Sequence, residues 1–249
     1  SSVKPMGFWF GFQEASKDSG FEHLNERRPH DAHEFLMFLL DSLHESLSKK
    51  VSLTITKIEL KTERQNLHQQ SLESWKSHFE NCYSPFVPLL FGLFHVQIEC
   101  SNCNIKSNRF ETFNTLKGVM YHDKKVSLIE SILDELNEEE IEEYACDKCA
   151  PNRHKATRRT KIWKLPQTLI VVLKRFTYDG RKITKSIQPI LESVDLKQIY
   201  SDISPNSKVS EFKLISIVDH HGSINGGHYT AQAFNKSENG TLALTNSKI

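Results

Sequence analysis

Four of the five cysteines occur as two widely separated C-x-x-C pairs, and this pattern restricts the possible folds more than any other feature of the sequence. The pairs are Cys100-Ser-Asn-Cys103 and Cys146-Asp-Lys-Cys149, with 42 residues between them. Each pair lets two thiolates converge from a tight turn, and four thiolates complete the closed tetrahedral ligand set of structural zinc. The pattern therefore predicts one structural zinc ion that joins two hairpins distant in sequence. The alternative is four reduced, buried cysteines without a metal.

Charge and hydropathy exclude several classes of function. The 249 residues include 32 basic and 31 acidic side chains, so a net charge of +1 gives no overall field that attracts nucleic acid or anionic lipid. The longest purely apolar run, residues 169–173, is far shorter than the roughly 20 residues that span a bilayer. Thiols in C-x-x-C pairs fit a reducing compartment. We expect an intracellular monomer with one elaborated domain, in the cytoplasm or nucleus, whose partner is a protein rather than nucleic acid or a membrane.

A glycine-rich segment near the carboxyl end carries the best candidate for chemistry. Residues 219–231 read D-H-H-G-S-I-N-G-G-H-Y-T-A. Gly226 and Gly227 have no Cβ, so another chain can approach the backbone closely just before His228 and Tyr229. Histidine is the side chain best suited to move protons near neutral pH. The alternative is a strand-edge turn whose histidine is only exposed to solvent.

The clearest helical pattern begins at Asp31. Asp31 can cap this helix, with Glu34 three residues further on, and Pro29 disfavours helix at the residue before it. Apolar residues then recur at helical spacing. They are Ala32, Phe35, Leu36, Leu39, Leu40, Leu43 and Leu47. Residues 1–30 are predicted to form irregular structure or short helices, and the polar stretch 62–70 is predicted to be an exposed insertion.

Strand patterns lie on both sides of the second cysteine pair. Alternating apolar residues from Phe94 to Ile98 predict a strand that runs into Cys100. Residues 162–176 contain a β-branched apolar run that is typical of a buried central strand. Asp179-Gly180 then predicts a hairpin turn.

Between the cysteine pairs, Ser127 and Glu130 predict a capping box at the start of another helix. An acidic run over 134–143 and a basic run over 153–164 follow, and both are interpreted as solvated faces. A nucleic-acid-binding zinc protein is the alternative, but it would need the basic run to dominate, and the acidic residues nearly cancel it.

Several strings, in this order along the chain, resemble the signatures of the ubiquitin-specific proteases, cysteine peptidases that cut ubiquitin from its conjugates. They are D-A-H-E-F-L from Asp31, both C-x-x-C pairs, L-P-x-x-L-I-x-x-L-K-R-F from Leu165, and G-G-H-Y-T-A from Gly226. The resemblance covers almost the whole chain and implies the α+β fold of a papain-like cysteine protease. It implies a helical thumb over 1–90, zinc-bearing β fingers over 91–165, and an antiparallel β palm over 166–249.

The same resemblance implies a binding site for the tail of ubiquitin. In the family the aspartate and glutamate of the D-A-H-E string, which are Asp31 and Glu34 here, face that extended tail. The turn of Gly226, Gly227 and Tyr229 would lie on the other side of it. The expected partners are therefore ubiquitin and ubiquitinated proteins.

The resemblance also implies catalytic roles, in hydrolysis of the peptide or isopeptide bond after ubiquitin's C-terminal glycine. His228 would act as general base and then as general acid. The third catalytic position falls on Asn246 or on its neighbour Thr245, and Asn246 is preferred because an amide can orient an imidazole.

The nucleophile is the part of the family pattern that this sequence lacks. In the family it lies in an N-terminal box, G-N-T-C-Y-x-N-S, and no such string precedes the aspartate helix here. The spare cysteine, Cys82, stands in an Asn-Cys-Tyr string without the flanking glycine and asparagine. We therefore expect a catalytic domain truncated before the box and inactive by itself. The alternative is a ubiquitin-binding pseudo-protease that keeps the docking surface without the chemistry.

Overall fold

The computed structural model divides the chain into a first unit, residues 1–48 with 216–249, and a second unit, residues 49–215. It describes residues 6–26, 28–56, 59, 61–188, 190, 193–236 and 242–248, with backbone only for 234–236 and 242–248. Within these ranges, no helix combines the length and the apolar character needed to cross a bilayer.

The described ranges contain five α-helices and eleven β-strands. The helices are α1 (Met6–Ala15), α2 (Ala32–Leu47), α3 (Glu63–Phe79), α4 (Phe86–Leu90) and α5 (Leu128–Glu135). The strands are β1 (Gly92–Cys100), β2 (Lys106–Phe113), β3 (Thr115–Val119), β4 (Glu139–Ala145), β5 (Arg153–Lys164), β6 (Ile170–Lys174), β7 (Val194–Asp195), β8 (Glu211–Phe212), β9 (Ser216–Ser223), β10 (Gly226–Lys236) and β11 (Leu242–Lys248). Helices and mainly antiparallel strands confirm the predicted α+β class.

In the first unit, α2 begins where the sequence predicts. The Asp31 carboxylate accepts a hydrogen bond from the His33 backbone N–H at 2.7 Å, which caps the helix. The buried residue of α2 is Phe38, which packs with Phe12 and Leu24. The predicted apolar face is only partly correct, because its last members, Leu43 and Leu47, are exposed.

The other part of the first unit is an antiparallel sheet with the strand order β11-β10-β9. Strands β9 and β10 form a hairpin in which Ser223 pairs with Gly226 across a two-residue loop. Side chains of adjacent strand positions alternate between the two faces of a sheet. His221 and His228, which are paired in register, therefore share one face, and the pair of His220 and Tyr229 shares the other.

In the second unit, a four-stranded antiparallel sheet has the order β2-β1-β5-β4. It places the acidic and basic runs of the sequence side by side, since β4 pairs with β5. Arg159 bridges Glu138 and Glu99, each at 2.6 Å, and Arg158 pairs with Glu139 at 3.1 Å. The two runs are therefore not independent solvated faces but complementary neighbours. Each exposed ion pair is worth at most about 1 kcal/mol, yet together they favour this register.

Helix α3 corrects the prediction of an exposed insertion over residues 62–70. A capping box starts the helix, with the Thr62 hydroxyl accepting from the Gln65 N–H and the Gln65 side chain accepting from the Thr62 N–H. Leu67 is 1% exposed and packs with Leu93 and Trp163. One apolar residue in a polar run gives no periodic signal, so within residues 62–70 the capping box was the only local sign of this helix, whereas Leu72, Trp75 and Phe79 share a predicted helical face in its second half.

The apolar run after β5 is also placed differently from its prediction. Strand β6 pairs in parallel with β3 in a two-stranded sheet, so it is not a central strand. Its first four side chains are half-buried and its last is exposed. The buried residues of the predicted segment 162–176 lie instead at the end of β5, where Ile162 and Trp163 are almost inaccessible to solvent.

Two local predictions are confirmed. The capping box of Ser127 and Glu130 is present at the start of α5. The predicted turn is confirmed as well, because Gly180 adopts a positive φ of 79° between Phe176 and Lys182, which form an antiparallel bridge.

A neutral histidine lies in the interior of the second unit. His95 is 5% exposed and stacks on Phe110. Its Nε2 lies 2.8 Å from the Asn108 side-chain oxygen and its Nδ1 lies 3.1 Å from the Ser201 hydroxyl. The amide oxygen only accepts, so Nε2 carries the proton and Nδ1 accepts from the hydroxyl. Burial lowers the pKa of His95 below its ordinary value.

This buried histidine predicts a loss of stability in acid. The folded state resists protonation of His95, whereas the unfolded chain takes up a proton below about pH 6.5. The free energy of unfolding should therefore keep its full value above about pH 6.5 and fall as the pH drops below this value, by at most about 1.4 kcal/mol per pH unit for this group. Urea unfolding over this range measures it. His95→Phe should reduce the pH dependence of the free energy of unfolding, and the exposed-site control His122→Phe should not. An equal pH dependence in the parent and in His95→Phe would contradict the role given to His95.

Candidate functional site

The β9–β10 hairpin holds the predicted histidine box. Gly226 has a φ of 156°, a value that side chains with a Cβ rarely adopt, and a Cβ at this position would lie 3.8 Å from Pro29 Cγ. A Cβ at Gly227 would collide with the His220 ring. That ring packs on Tyr229, with 4.7 Å between ring centroids. The backbone conformation therefore favours glycine at position 226, and the close approach of the His220 ring requires glycine at position 227. His228 follows them in an exposed position.

The start of α2 presents two carboxylates. Asp31 uses one oxygen to cap the helix. Glu34 does not return to the cap; its Oε2 lies 3.3 Å from His23 Nε2. A carboxylate only accepts, so His23 donates to it. The Glu34 side chain is 50% exposed and remains accessible to a basic ligand.

Tyr229 is where the hairpin and the start of α2 meet. Burial raises the pKa of Tyr229, the backbone N–H of Ala32 opposes this shift, and the negative charges of Asp31 and Glu34 add to it. The phenol is therefore close to the first turn of α2. The structure thus brings together the predicted tail-binding residues Asp31, Glu34, Gly226, Gly227 and Tyr229 within the first unit.

The third predicted catalytic residue is placed only by its backbone. Asn246 lies in β11 opposite Gln232, and Thr245 lies opposite Ala233. Gln232 is four positions from His228 along β10, which corresponds to about 13 Å. This register does not bring Asn246 beside His228. The Asn246 side chain lies outside the described part of the structure, so its role stays a prediction.

Cys82 lies in the second unit, three residues after the end of α3. Its thiol donates a hydrogen bond to the His78 carbonyl oxygen at 3.2 Å. This is the helix-terminal bonding of an ordinary structural cysteine, in which the S–H satisfies a carbonyl left open at the helix end.

The four remaining cysteines converge at the end of the four-stranded sheet. Cys100 and Cys103 lie at the turn between β1 and β2, and Cys146 and Cys149 lie at the turn between β4 and β5. All four Sγ atoms are within 4.8 Å of one another. The two cysteine-bearing turns therefore converge as predicted, whereas the ion that would join them stays a prediction. Their convergence is reinforced by pairing of β1 with β5, the inner strands of the two hairpins.

The sulfur geometry fits a tetrahedral metal ion. Zinc–sulfur bonds of about 2.3 Å require sulfurs about 3.8 Å apart. Cys100 and Cys149 have their sulfurs 3.9 Å apart, and Cys103 and Cys146 have theirs 3.6 Å apart. Hydrogen bonds from the Cys103 backbone N–H and then from the Asn102 N–H lower the pKa of Cys100 to about 7. The four cysteines can hold a metal ion, and the donor set has no place for a fifth, catalytic ligand.

Some residues of the first-unit site were not predicted. His23 gives no signal because it is 11 residues from its partner Glu34 and outside any periodic pattern. The packing of His220 on Tyr229 was detectable in principle, since a two-residue loop fixes the hairpin register and so the cross-strand pairs.

Known proteins resemble this chain in sequence over most of its length. The sequence profile of the ubiquitin carboxyl-terminal hydrolase family matches residues 1–248. Ubiquitin carboxyl-terminal hydrolase 5 of Saccharomyces cerevisiae is 27% identical over 231 residues, which cover 84% of this chain and 28% of that protein. Ubiquitin carboxyl-terminal hydrolase 3 of Mus musculus is 28% identical over 227 residues, which cover 82% of this chain and 42% of that protein. The chain thus spans less than half the length of these two relatives.

Solved structures share the fold. One chain of a SAGA Ubp8/Sgf11/Sus1/Sgf73 DUB module has a TM-score of 0.67 and 25% identity, with 100% of this chain and 51% of that chain covered. A second structure of the module, bound to monoubiquitin, has a TM-score of 0.64 and 24% identity, with 98% and 49% covered. These neighbours confirm the predicted fold, which is the arrangement of helices and antiparallel sheet found in the ubiquitin-specific proteases. With the profile match, they place the chain in its family: it belongs to the ubiquitin carboxyl-terminal hydrolases.

Proposed function

We propose that the chain is part of the catalytic domain of a cysteine-type deubiquitinase, which hydrolyses the peptide or isopeptide bond after ubiquitin's C-terminal glycine. The observation that supports this most is the approach of Tyr229 to the first turn of α2, beside His228. Two carboxylates beside an aromatic ring suit an extended, basic peptide. The family and its relatives are ubiquitin carboxyl-terminal hydrolases, which gives the reaction class.

His228 is the proposed proton carrier. A cysteine that is not among these 249 residues would lose its proton to the imidazole and attack the glycine carbonyl carbon. The C–N bond then breaks, and the imidazolium gives its proton to the departing amine. Water, deprotonated by His228, hydrolyses the thioester and releases ubiquitin's carboxylate. His228 is exposed on its strand, so it is accessible to both partners of this transfer.

Asn246 is proposed to orient the imidazole, in preference to Thr245. Asn246 pairs with Gln232, which is an even number of positions from His228, so both residues belong to the same alternating set of strand positions. Thr245 pairs with Ala233 and belongs to the other set.

Zinc is the metal we propose for the four-cysteine cluster, with a structural role. Four thiolates are the preferred set of structural zinc, and they leave no position for a reacting water. The ion would neutralise thiolates at the tip of the sheet and hold its two hairpins together. All steps of bond cleavage are assigned to residues elsewhere.

The 249-residue chain by itself is expected not to cleave ubiquitin conjugates. Four of its five cysteines form the metal cluster, and the Cys82 thiol is bonded to the His78 carbonyl. A fluorogenic ubiquitin substrate measures turnover directly. Turnover that is abolished by Cys82→Ala and kept in the conservative control Ser84→Ala would make Cys82 the nucleophile and overturn this assignment.

Ubiquitin binding by the chain tests the proposed function without requiring turnover. Calorimetric titration with ubiquitin should show one site, and ubiquitin that lacks its C-terminal tail should bind at least about tenfold more weakly. Equal binding of intact and tail-less ubiquitin would refute the tail site. An absence of any binding by a folded, metal-loaded chain would refute the functional proposal itself.

A further inference from the structure

One exposed face of the β9–β10 hairpin carries two imidazoles side by side. His221 and His228 are cross-strand partners in an antiparallel pair, and both are exposed. The Cβ atoms of directly opposed residues lie about 4.5–5.5 Å apart on the same face. Two imidazoles in this position can bring one ring nitrogen each to a common point above the sheet.

The neighbouring pair along the hairpin adds oxygen atoms to the same face. Asp219 and Thr230 are also cross-strand partners, two positions from His221 and His228 respectively. The four residues therefore form a two-by-two block. The Thr230 hydroxyl lies 3.2 Å from His221 Nε2, so the ring already leans across the strand gap towards β10.

This arrangement suits a divalent transition metal. Imidazole nitrogen is a preferred ligand of Zn²⁺, Cu²⁺ and Ni²⁺, with bonds of about 2.0–2.1 Å. Two nitrogens on one ion then lie roughly 2.9–3.4 Å apart, a separation that side-chain rotation provides between cross-strand neighbours. Within the described residues, only the four cysteines already gather three or more ligand atoms around one point. Metal binding here would consequently draw the two rings together and exchange the Thr230 contact of His221 for the ion.

We propose that His221 and His228 form a second metal site, separate from the cysteine cluster, that binds one divalent transition-metal ion through two imidazoles and completes its coordination with water. The site includes the histidine to which the proposed function assigns proton transfer, but metal binding does not depend on that function. An ion held there occupies the lone pair that His228 would use as a base. Through His221, the concentration of available metal would therefore control whether His228 is free to accept a proton.

Nickel is the probe that tests this site. The full chain, loaded with one equivalent of zinc and carrying Cys82→Ser, is titrated calorimetrically with NiCl₂ while zinc in the ultrafiltrate is monitored. We expect one Ni²⁺ per chain without zinc release. His221→Ala and His228→Ala should each weaken Ni²⁺ binding at least tenfold. His220→Phe, one position along the strand on the opposite face, keeps the ring against Tyr229 and should leave the affinity unchanged.

Thermal melting of each variant shows that the hairpin unit is folded. An unchanged nickel affinity in folded His221→Ala, or the same loss in His220→Phe as in His221→Ala, would overturn the proposal. Release of one zinc per nickel bound would do so as well, because it would assign the binding to the cysteines.

Discussion

Cys100→Ser is expected to release the metal ion of the four-cysteine cluster and to lower the free energy of unfolding by on the order of 4 kcal/mol or more. Cys100 is completely buried at the end of β1, and its sulfur lies 3.9 Å from that of Cys149. Removing one thiolate leaves three ligands, and the binding free energy of a structural metal ion is folding free energy. The loss should spread beyond the turn, since β1 lies between β2 and β5 in the sheet.

Elemental analysis and melting curves measure this effect. The parent should contain one zinc per chain and lose its high-temperature transition when a strong chelator removes the ion. Cys82→Ser is the matched control, because it removes a thiol outside the cluster and should leave zinc content and melting temperature almost unchanged. A zinc-free parent, or a Cys100→Ser chain as stable as the parent, would remove the metal assignment; iron in place of zinc would correct the identity of the ion.

Glu34→Arg is expected to weaken ubiquitin binding about tenfold, which corresponds to roughly 1.4 kcal/mol. Hydrogen bonds between charged groups contribute about 1.5–3 kcal/mol when sheltered and less when wet. Glu34 is half exposed, so the lower end of this range applies. An arginine would add repulsion against a basic tail and would remove the acceptor of the His23 hydrogen bond.

Glu45→Arg is the matched control for this substitution. It makes the same charge change on an exposed position of α2, three turns further along the helix. Glu34→Arg also opposes the helix dipole, so its melting temperature should fall slightly, by the equivalent of about 0.3–1 kcal/mol. A lower melting temperature with an unchanged ubiquitin affinity would show that Glu34 only supports the helix. His23→Ala separates the roles further, since freeing Glu34 from His23 should not weaken tail binding.

The features predicted well from sequence are those that local chemistry determines. Asp31 marks the start of α2 because a side chain two residues before an amide can cap it, and this requires no distant partner. Each C-x-x-C turn likewise defines half of a metal site by itself. The hairpin was predicted less exactly, because Gly226 to Tyr229 were expected to form a turn, whereas they begin strand β10 and the loop is formed by residues 224 and 225.

The features that were missed depend on tertiary contacts. Leu67 is a single apolar residue in a polar run, and only the packing of Leu93 and Trp163 makes it part of the core. The partner strand of β6 was also not predictable, because a β-branched run does not specify whether one or both of its faces are covered. The contact between His23 and Glu34 depends on the conformation of the segment before α2, and no sequence motif predicts that conformation.

The glutamates of β4 have an effect beyond the pairs that they form with β5. Among the described strands β4 is the last one of its sheet, so one side of its backbone has open N–H and C=O groups. Its sequence, E-E-I-E-E-Y-A, puts negative charge along this edge. A second chain that added a strand there, in the same arrangement, would bring its own glutamates into contact with these. The acidic run thereby opposes edge-to-edge association of the sheet, and salt weakens this effect because it screens the charges.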